Sequence, residues 1–377
     1  MKQVMILGST GSVGNQALDI IKRNPEQFKL TGLSTNKNIQ LLVKQIQEFK
    51  PRYVAITDED ARREFVKIKP PFVQVISIDE LSSIKTDIYL NAMVGLSGLK
   101  PSINILKNGC ILGMANKEPI VSAGRFLMDC CKKNNAKIIP VDSEHSAIWQ
   151  CLKAGQHNEI KRLILTASGG PFKDYTLEQL ATVTPQLAMR HPVWKMGQKV
   201  TIDSATLMNK GFEVIEAMNL FDVPLEKVDV IIHPESVVHS MVEYIDNTLI
   251  ACMSYPDMRL PVQLALSYPD RIESGIPSLD LTRIGTMHFE RPNLSKFRCL
   301  SLALEATKLG EASVIALSAA DEVVVPAFLE GRISFNDIPR YLEMALGFVR
   351  AGRLSSVDEV ISIDVTVKKY IRSMLKY

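Results

Sequence analysis

Apolar residues in the first 140 positions come in short, nearly unbroken runs, and the stretches between them have a helical period. VMILG reads as a strand and Ser12–Arg23 as a helix. KLTGLST reads as a second strand, and Ile39–Phe49 as an amphipathic helix with one apolar face. YVAIT, VQVISI and IYLNAM follow as short apolar runs. Leu99–Lys107 then reads as a helix, CILGMA as a strand, Pro119–Asn134 as a helix and KIIPV as a last strand. Strands alternating with helices of this length predict a parallel, doubly wound sheet. Helices cover both faces of such a sheet, which is why its strands are apolar throughout rather than alternating.

From about residue 142 the texture changes. LILTASGGPF, KVTIDSATLMNKGFEVIEAMNLF, VDVIIHPESVVHSMVEYID and TLIACMSYP mix strands, one strong helix and polar loops. After Leu300 the pattern is helical to the end. The expectation is an α/β protein with a Rossmann-like domain over 1–141, an α+β domain over 142–270, a proline-marked connector over 271–297 and a helical bundle over 298–377.

Composition narrows the class. A chain of 377 residues with 46% hydrophobic content supports two or three domains. A net charge of +3 with interspersed signs predicts neither a nucleic-acid stripe nor a polybasic membrane arm. The first apolar run, Val4–Leu7, is too short for a signal-peptide core, and no apolar run approaches a membrane span, so a cytoplasmic protein is expected. The six cysteines form no CxxC pair and read as reduced thiols.

The turn between the first strand and first helix is Gly8-Ser9-Thr10-Gly11-Ser12-Val13-Gly14. Glycines let backbone N–H groups approach a pyrophosphate, and the helix N-terminus favours its charge. The spacing is GxxGxxG rather than GxGxxG, so its place inside a βαβ unit carries the argument. At the end of the second strand, Asn36, Lys37 and Asn38 stand where an NAD site usually has an acid for the ribose 2′-hydroxyl. Such a cluster would hydrogen-bond a 2′-phosphate, which points to NADPH, although an ordinary polar turn would read the same way.

Asp142 and Glu144 follow the last apolar run of the sheet. On a continuing strand, positions two apart share a face, so these carboxylates would point the same way and call for a cation. Oxygen donors favour hard divalent ions. Thr166–Pro171, with Ser168 and two glycines, suits phosphate or a plain turn. His191–Gly197 puts Trp194 and Met196 in a loop, as a lid or a core anchor. Ser204, Asn209 and Lys210 could hold an anion near a helix start. Glu213 and Glu216 lie three apart on that helix, and either could be a solvated surface carboxylate.

GSTGSVG, ANKE (115–118), VDSEHSA (141–147), TASGGPF, HPVWKMG, SATLMNKGFEVIEA, IHPESVVHS and YPDMRLP occur in the order seen in one family. The chain resembles the 1-deoxy-D-xylulose 5-phosphate reductoisomerases, NADPH- and metal-dependent enzymes of the non-mevalonate isoprenoid pathway, over roughly residues 4 to 330. The resemblance implies a homodimer acting on a small sugar phosphate, with 142–270 as its catalytic domain. It implies that Asp142, Glu144 and Glu213 ligate Mg²⁺, Mn²⁺ or Co²⁺. Ser168, Ser204, Asn209 and Lys210 would bind phosphate, with His191 nearby. Ser143 and Lys117 would contact substrate oxygens, and Trp194 and Met196 would belong to a closing loop. Asn116, Lys117, Glu118, Gly197 and Met258 would lie on the cofactor side. Lys117, Asp142, Glu144 and Glu213 would carry the chemistry: skeletal rearrangement to a branched aldehyde phosphate, then hydride delivery from NADPH.

Four residues depart from the family pattern: Pro119 for Ser or Thr, Glu235 for Gln, Ser254 for Gly and Asp321 for Asn. Two other readings compete. An acylating semialdehyde dehydrogenase needs a cysteine nucleophile that no loop here supplies. A non-catalytic NADP sensor leaves the carboxylates unexplained.

Overall fold

The computed structural model describes residues 1–190, 193–194, 196–350 and 352–375. The chain opens with β1 (Lys2–Leu7), α1 (Ser12–Arg23), β2 (Phe28–Thr35), α2 (Ile39–Phe49), β3 (Tyr53–Ile56), α3 (Glu59–Ile68), β4 (Gln74–Ile76) and α4 (Ile78–Ser83). It continues through β5 (Ile88–Asn91), α5 (Leu99–Lys107), β6 (Ile111–Met114), α6 (Lys117–Lys133), β7 (Lys137–Pro140) and α7 (Ser143–Cys151). Next come β8 (Ile160–Ala167), α8 (Leu177–Leu180), α9 (Pro185–Ala188), α10 (Gln198–Ala205), α11 (Met208–Phe221), β9 (Val228–Ile232), β10 (Val238–Tyr244) and β11 (Leu249–Met253). The last helices are α12 (Arg259–Ser267), α13 (Leu281–Ile284), α14 (Arg298–Leu309), α15 (Glu311–Leu329), α16 (Asp337–Phe348) and α17 (Val357–Met374).

These elements form two compact units. The first comprises residues 1–119, 125–146 and 257–276. Its seven strands are parallel, in the order β4-β3-β2-β1-β5-β6-β7. Strand order reverses between β1 and β5, and the carboxyl ends flanking such a switch are where open α/β sheets bind ligands. Val4, Ile6, Leu7, Leu33, Val54, Ala55, Leu90 and Leu112 are buried, as strands covered on both faces require. The helices α1 and α2 bury one face each, through Ala17, Leu18, Ile20 and Ile21 and through Leu42 and Ile46. Although remote in sequence, α12 belongs to this unit. Gly113 on β6 lets it approach, since a Cβ there would stand 3.3 Å from Ala265 Cβ. Lys2 caps its C-terminal end by donating to the carbonyls of Ser267 and Tyr268.

The second unit comprises residues 120–124, 147–256 and 277–377. Its sheet runs β11-β10-β8-β9, with β8 and β9 parallel and the other pairings antiparallel. The helices α14 to α17 pack with α10 and α11 around Phe212, Leu302, Leu317, Val324, Phe328, Leu342 and Ile371. With a mean hydropathy of 1.7, α15 is long and apolar enough to cross a membrane, but 83% of that stretch is buried and it is the core helix of this bundle.

Candidate functional site

In the first unit the glycine turn takes the shape its sequence demands. Gly8 has φ +82°, and a Cβ there would meet Ala92 O at 2.4 Å. Gly14 lets the first turn of α1 sit on the strand end, since a Cβ there would meet Gly8 O at 2.5 Å. No side chain caps α1 at Gly11, which leaves the helix N-terminus to an anion. Thr10 and Thr35 share a 2.7 Å hydrogen bond between hydroxyls.

Beyond β2, Asn36, Lys37 and Asn38 are exposed. Asn36 donates to Thr57 Oγ1 (2.8 Å), and Asn38 accepts from Leu41 N–H as the cap of α2 (3.1 Å). Lys37 pairs with Asp58 at 3.4 Å. Asp58 caps α3, and the Ala61 N–H, followed by Lys37, holds its carboxyl below the usual range. An acid does therefore stand near this corner, contributed by the neighbouring β3 end rather than by β2, where sequence reasoning sought it.

Asn116 and Lys117 emerge from β6, and Asp142 from the adjacent β7; Met114 and Pro140 are register partners there. Asn116 is buried and donates to Gly95 O (3.1 Å) and Glu118 Oε2 (2.8 Å). Lys117 Nζ lies 2.7 Å from Asp142 Oδ2. Burial pushes the Asp142 carboxyl up, but the Lys117 ammonium and then His145 outweigh it and hold the group well below the carboxylate range.

The strand geometry expected for Asp142 and Glu144 is not what forms. β7 ends at Pro140, and Ser146 N–H donates to Asp142 O (2.8 Å), so the chain turns into α7 at Ser143. Glu144 sits in the first helical turn, where the N-terminal dipole favours a carboxylate. Ser143 Oγ donates to Glu144 Oε2 at 2.5 Å. A side-chain period of two cannot apply across this boundary. Met258, at the N-cap of α12, is half-buried in the same unit.

In the second unit, Ser168 follows β8, and the next two residues, Gly169 and Gly170, have φ +85° and +67°. Gly170 N–H donates to Ser168 Oγ (3.2 Å), and a Cβ on Gly170 would strike Ser204 O at 2.8 Å. The glycine turn is thus seated directly on the end of α10, bringing the Ser168 and Ser204 segments together. Leu207, left-handed at φ +58°, turns the chain from α10 into α11. Asn209 and Lys210 lie in the first turn of α11 and both donate to Glu213. Lys210 is 3% and Glu213 0% exposed, so theirs is a buried ion pair. Glu216 is 1% exposed. The solvated fate considered for these glutamates does not occur, because α11 is packed on both sides.

Trp194 is half-buried, its ring 6.1 Å from that of His239. His239 Nε2 lies 2.8 Å from Ser254 Oγ. His191, together with Pro192 and Lys195, lies outside the described residues. Gly197 is the N-cap of α10 with φ −63°, which any residue could adopt. His233 is buried, stacks on Phe289 at 4.6 Å and bonds His288 O through Nδ1 (2.9 Å), a structural role.

Two clusters went unread in the sequence. Lys199 on α10 bridges Asp203 (2.6 Å) and Asp321 on α15 (2.5 Å), with the two aspartates 3% and 1% exposed. An aspartate inside the apolar run of α15 was the available signal. Glu235 pairs with His288 at 2.6 Å. Burial pushes the Cys151 thiol up to about 12 and raises Cys130, Cys131 and Cys299, so none of these four is an activated nucleophile.

Family models match the chain over three stretches: 1-deoxy-D-xylulose 5-phosphate reductoisomerase at residues 4–124, its C-terminal domain at 138–221, and the DXP reductoisomerase C-terminal domain at 253–370. The reductoisomerase of Caldanaerobacter subterraneus subsp. tengcongensis is 45% identical over the whole of both chains, and that of Thermodesulfovibrio yellowstonii 46% identical over 98% of each. The solved Zymomonas mobilis enzyme in complex with NADPH is 36% identical, with a TM-score of 0.92 over 100% of this chain and 99% of its own. A DOX-P reductoisomerase in complex with NADPH, fosmidomycin and magnesium is 35% identical, with a TM-score of 0.94 over 100% of this chain and 98% of its own. The chain belongs to the 1-deoxy-D-xylulose 5-phosphate reductoisomerase family.

Proposed function

We infer that this chain converts 1-deoxy-D-xylulose 5-phosphate into 2-C-methyl-D-erythritol 4-phosphate, using NADPH and a divalent metal ion. The observation that carries this is the full-length match to reductoisomerases, at up to 46% identity in the relatives named above.

The residues fit both groups. The Gly8–Gly14 turn is a cradle that a Cβ would fill, ending at a helix N-terminus without a side-chain cap, as a dinucleotide pyrophosphate requires. Asp142, Glu144 and Glu213 are the residues that would hold the metal, an all-carboxylate donor set that suits Mg²⁺ or Mn²⁺. When bound, the ion supplies Lewis acidity toward the substrate's carbonyl and hydroxyl oxygens, and NADPH supplies hydride.

The chain's own groups orient and bind. Lys117 keeps Asp142 ionised and brings an N–H donor to the substrate oxygens. Ser143, beside Glu144, offers a hydroxyl to the same oxygens. Ser168, Ser204, Asn209 and Lys210, with His191, would hold the phosphate. That phosphate does not react, so its binding energy is available for orientation and closure. Trp194, with its ring near His239, would cover the substrate and exclude water. A cytoplasmic homodimer is part of the same proposal.

The test is NADPH oxidation with 1-deoxy-D-xylulose 5-phosphate, with and without Mn²⁺. Rapid oxidation only with the metal is expected, and its absence would overturn the reading.

A further inference from the structure

Gln45 lies on α2, four per cent exposed, and every polar atom of its amide is engaged with the glycine turn. Its Nε2 donates to the Ser9 carbonyl (3.0 Å) and to Asn15 Oδ1 (3.1 Å), and its Oε1 accepts the Ser9 hydroxyl (2.8 Å). The reverse amide orientation would set oxygen against oxygen at both Ser9 O and Asn15 Oδ1, so these partners fix it. Asn15, thus oriented, donates to Thr10 O (3.2 Å) and Gly11 O (2.8 Å). Gly8 O accepts from Gly11 N–H (3.1 Å). The four carbonyls from Gly8 to Gly11 are therefore each held by a donor of this chain. Ser34 takes up the first two N–H groups of the turn, Gly8 through its hydroxyl (3.0 Å) and Ser9 through its carbonyl (2.8 Å).

This wiring has a functional consequence. A pyrophosphate seeks N–H groups and is repelled by carbonyl oxygens. A glycine-containing turn has several low-energy ways to rotate its peptides, and some would aim a carbonyl at the ligand. Tying down all four carbonyls removes those alternatives and leaves the N-terminal turn of α1 as the donor surface. Gln45 is the buried origin of the network, reaching the Ser9 carbonyl directly and the Thr10 carbonyl through the Asn15 side chain; Gly11 O is also held by the Asn15 backbone N–H (3.0 Å), the first bond of α1. We propose that Gln45 is a positioning residue for the cofactor, locking the Ser9–Gly11 peptides in the orientation that accepts the NADPH pyrophosphate. This rests on reading the turn as the cofactor site.

The test compares Gln45→Leu with wild type by direct titration of NADPH, NADH and 2′-AMP, which carries the adenosine and 2′-phosphate but no pyrophosphate. The expected result is about tenfold weaker binding of NADPH and NADH alike, the scale of one misdirected hydrogen bond to a charged ligand. The affinity for 2′-AMP and the KM for the sugar phosphate at saturating NADPH should stay near wild type. Equal weakening of 2′-AMP would mean that Gln45 only supports the fold, and would overturn the proposal. Gln45→Glu keeps the size but turns an acceptor toward Ser9 O, and serves if the leucine variant melts below assay temperature; unchanged NADPH affinity in it would overturn the proposal equally. Gly14→Ala separates the two readings. If it abolishes NADPH binding while the Gln45 variants are silent, the positioning role alone fails; if all are silent, the cofactor site is misplaced as well.

Discussion

Lys117 Nζ stands 2.7 Å from Asp142 Oδ2, so an ammonium from the end of β6 holds the carboxylate at the end of β7. Two consequences oppose each other. A divalent ion on Asp142 would share that carboxylate with a positive charge, and two unit charges 4 Å apart interact by about 4 kcal/mol at an effective dielectric near 20. Lys117 should therefore weaken metal binding while supporting turnover. Lys117→Met is expected to lower kcat by about 100-fold, the scale of a lost charge-stabilising donor, and to lower the half-saturating Mn²⁺ concentration. A manganese titration of the variant checks both, and a raised metal requirement would show that Lys117 organises the ligands instead of competing with the ion.

The Lys199 ammonium shared by Asp203 and Asp321 makes opposite predictions for its members. Removing the cation leaves two buried carboxylates without their shared counter-charge. Breaking a buried pair this way costs about 3–5 kcal/mol. Asp321→Asn leaves a one-to-one pair and keeps an oxygen for Lys199, so its cost should stay below about 1 kcal/mol. Urea denaturation of Lys199→Met and Asp321→Asn tests this. Equal losses would mean that the second carboxylate is as necessary as the ammonium.

How much of this was legible depended on how local each cause is. The β1–α1 turn was readable because Gly11 and Gly14 answer to contacts within a few residues, both against Gly8 O, although the close approach of Ala92 to Gly8 comes from the distant end of β5. Leu99–Lys107 was readable because one amphipathic face is decided within the helix itself. The geometry of Asp142 and Glu144 was not, because the change from strand to helix at Ser143 leaves no mark in a run that fits either period. Gln45 is a polar residue that the helical period sets between Leu41 and Phe49, at the flank of the apolar face of α2. Its inward setting was therefore legible, but only tertiary contact shows that its partners are Ser9 and Asn15. The membership of 257–276 in the first unit was equally hidden, since α12 reaches α1 across more than two hundred residues of chain.

Glu235 makes stability depend on pH. Burial pushes its carboxyl up, but hydrogen bonds from the His288 ring and from backbone N–H groups outweigh this and hold it below the usual value of 4.5. A carboxyl depressed in the folded state contributes stability above its unfolded pKa and loses it as pH falls through the folded one. The melting temperature of wild type should fall more steeply than that of Glu235→Gln as the pH drops below the usual carboxyl value of 4.5. The effect is small, because His288 is exposed and such pairs are worth at most about 1 kcal/mol. Parallel curves would show that His288 contributes nothing to the charged form.

Ser204 and Lys210 are both proposed phosphate ligands, yet their substitutions should not behave alike. Lys210 is also the buried ion-pair partner of Glu213, so Lys210→Ala removes the counter-charge of a fully buried carboxylate and leaves it the Asn209 amide. Its loss of activity would mix weaker phosphate binding, a disturbed metal ligand and a destabilised α11, with a stability cost of about 3–5 kcal/mol. Ser204 lies at the end of α10, half-buried and held against the Gly170 turn through its backbone. Ser204→Ala removes one hydroxyl and leaves that backbone contact in place. The expected result is a KM for 1-deoxy-D-xylulose 5-phosphate raised about tenfold, consistent with roughly 1.5 kcal/mol for one hydrogen bond to a charged group. The KM for NADPH and the melting temperature should not change. Steady-state kinetics with each substrate varied in turn, together with a thermal melt, distinguish the two variants. If Ser204→Ala leaves the sugar-phosphate KM untouched while Lys210→Ala merely unfolds the protein, the phosphate lies elsewhere than the α10–α11 corner.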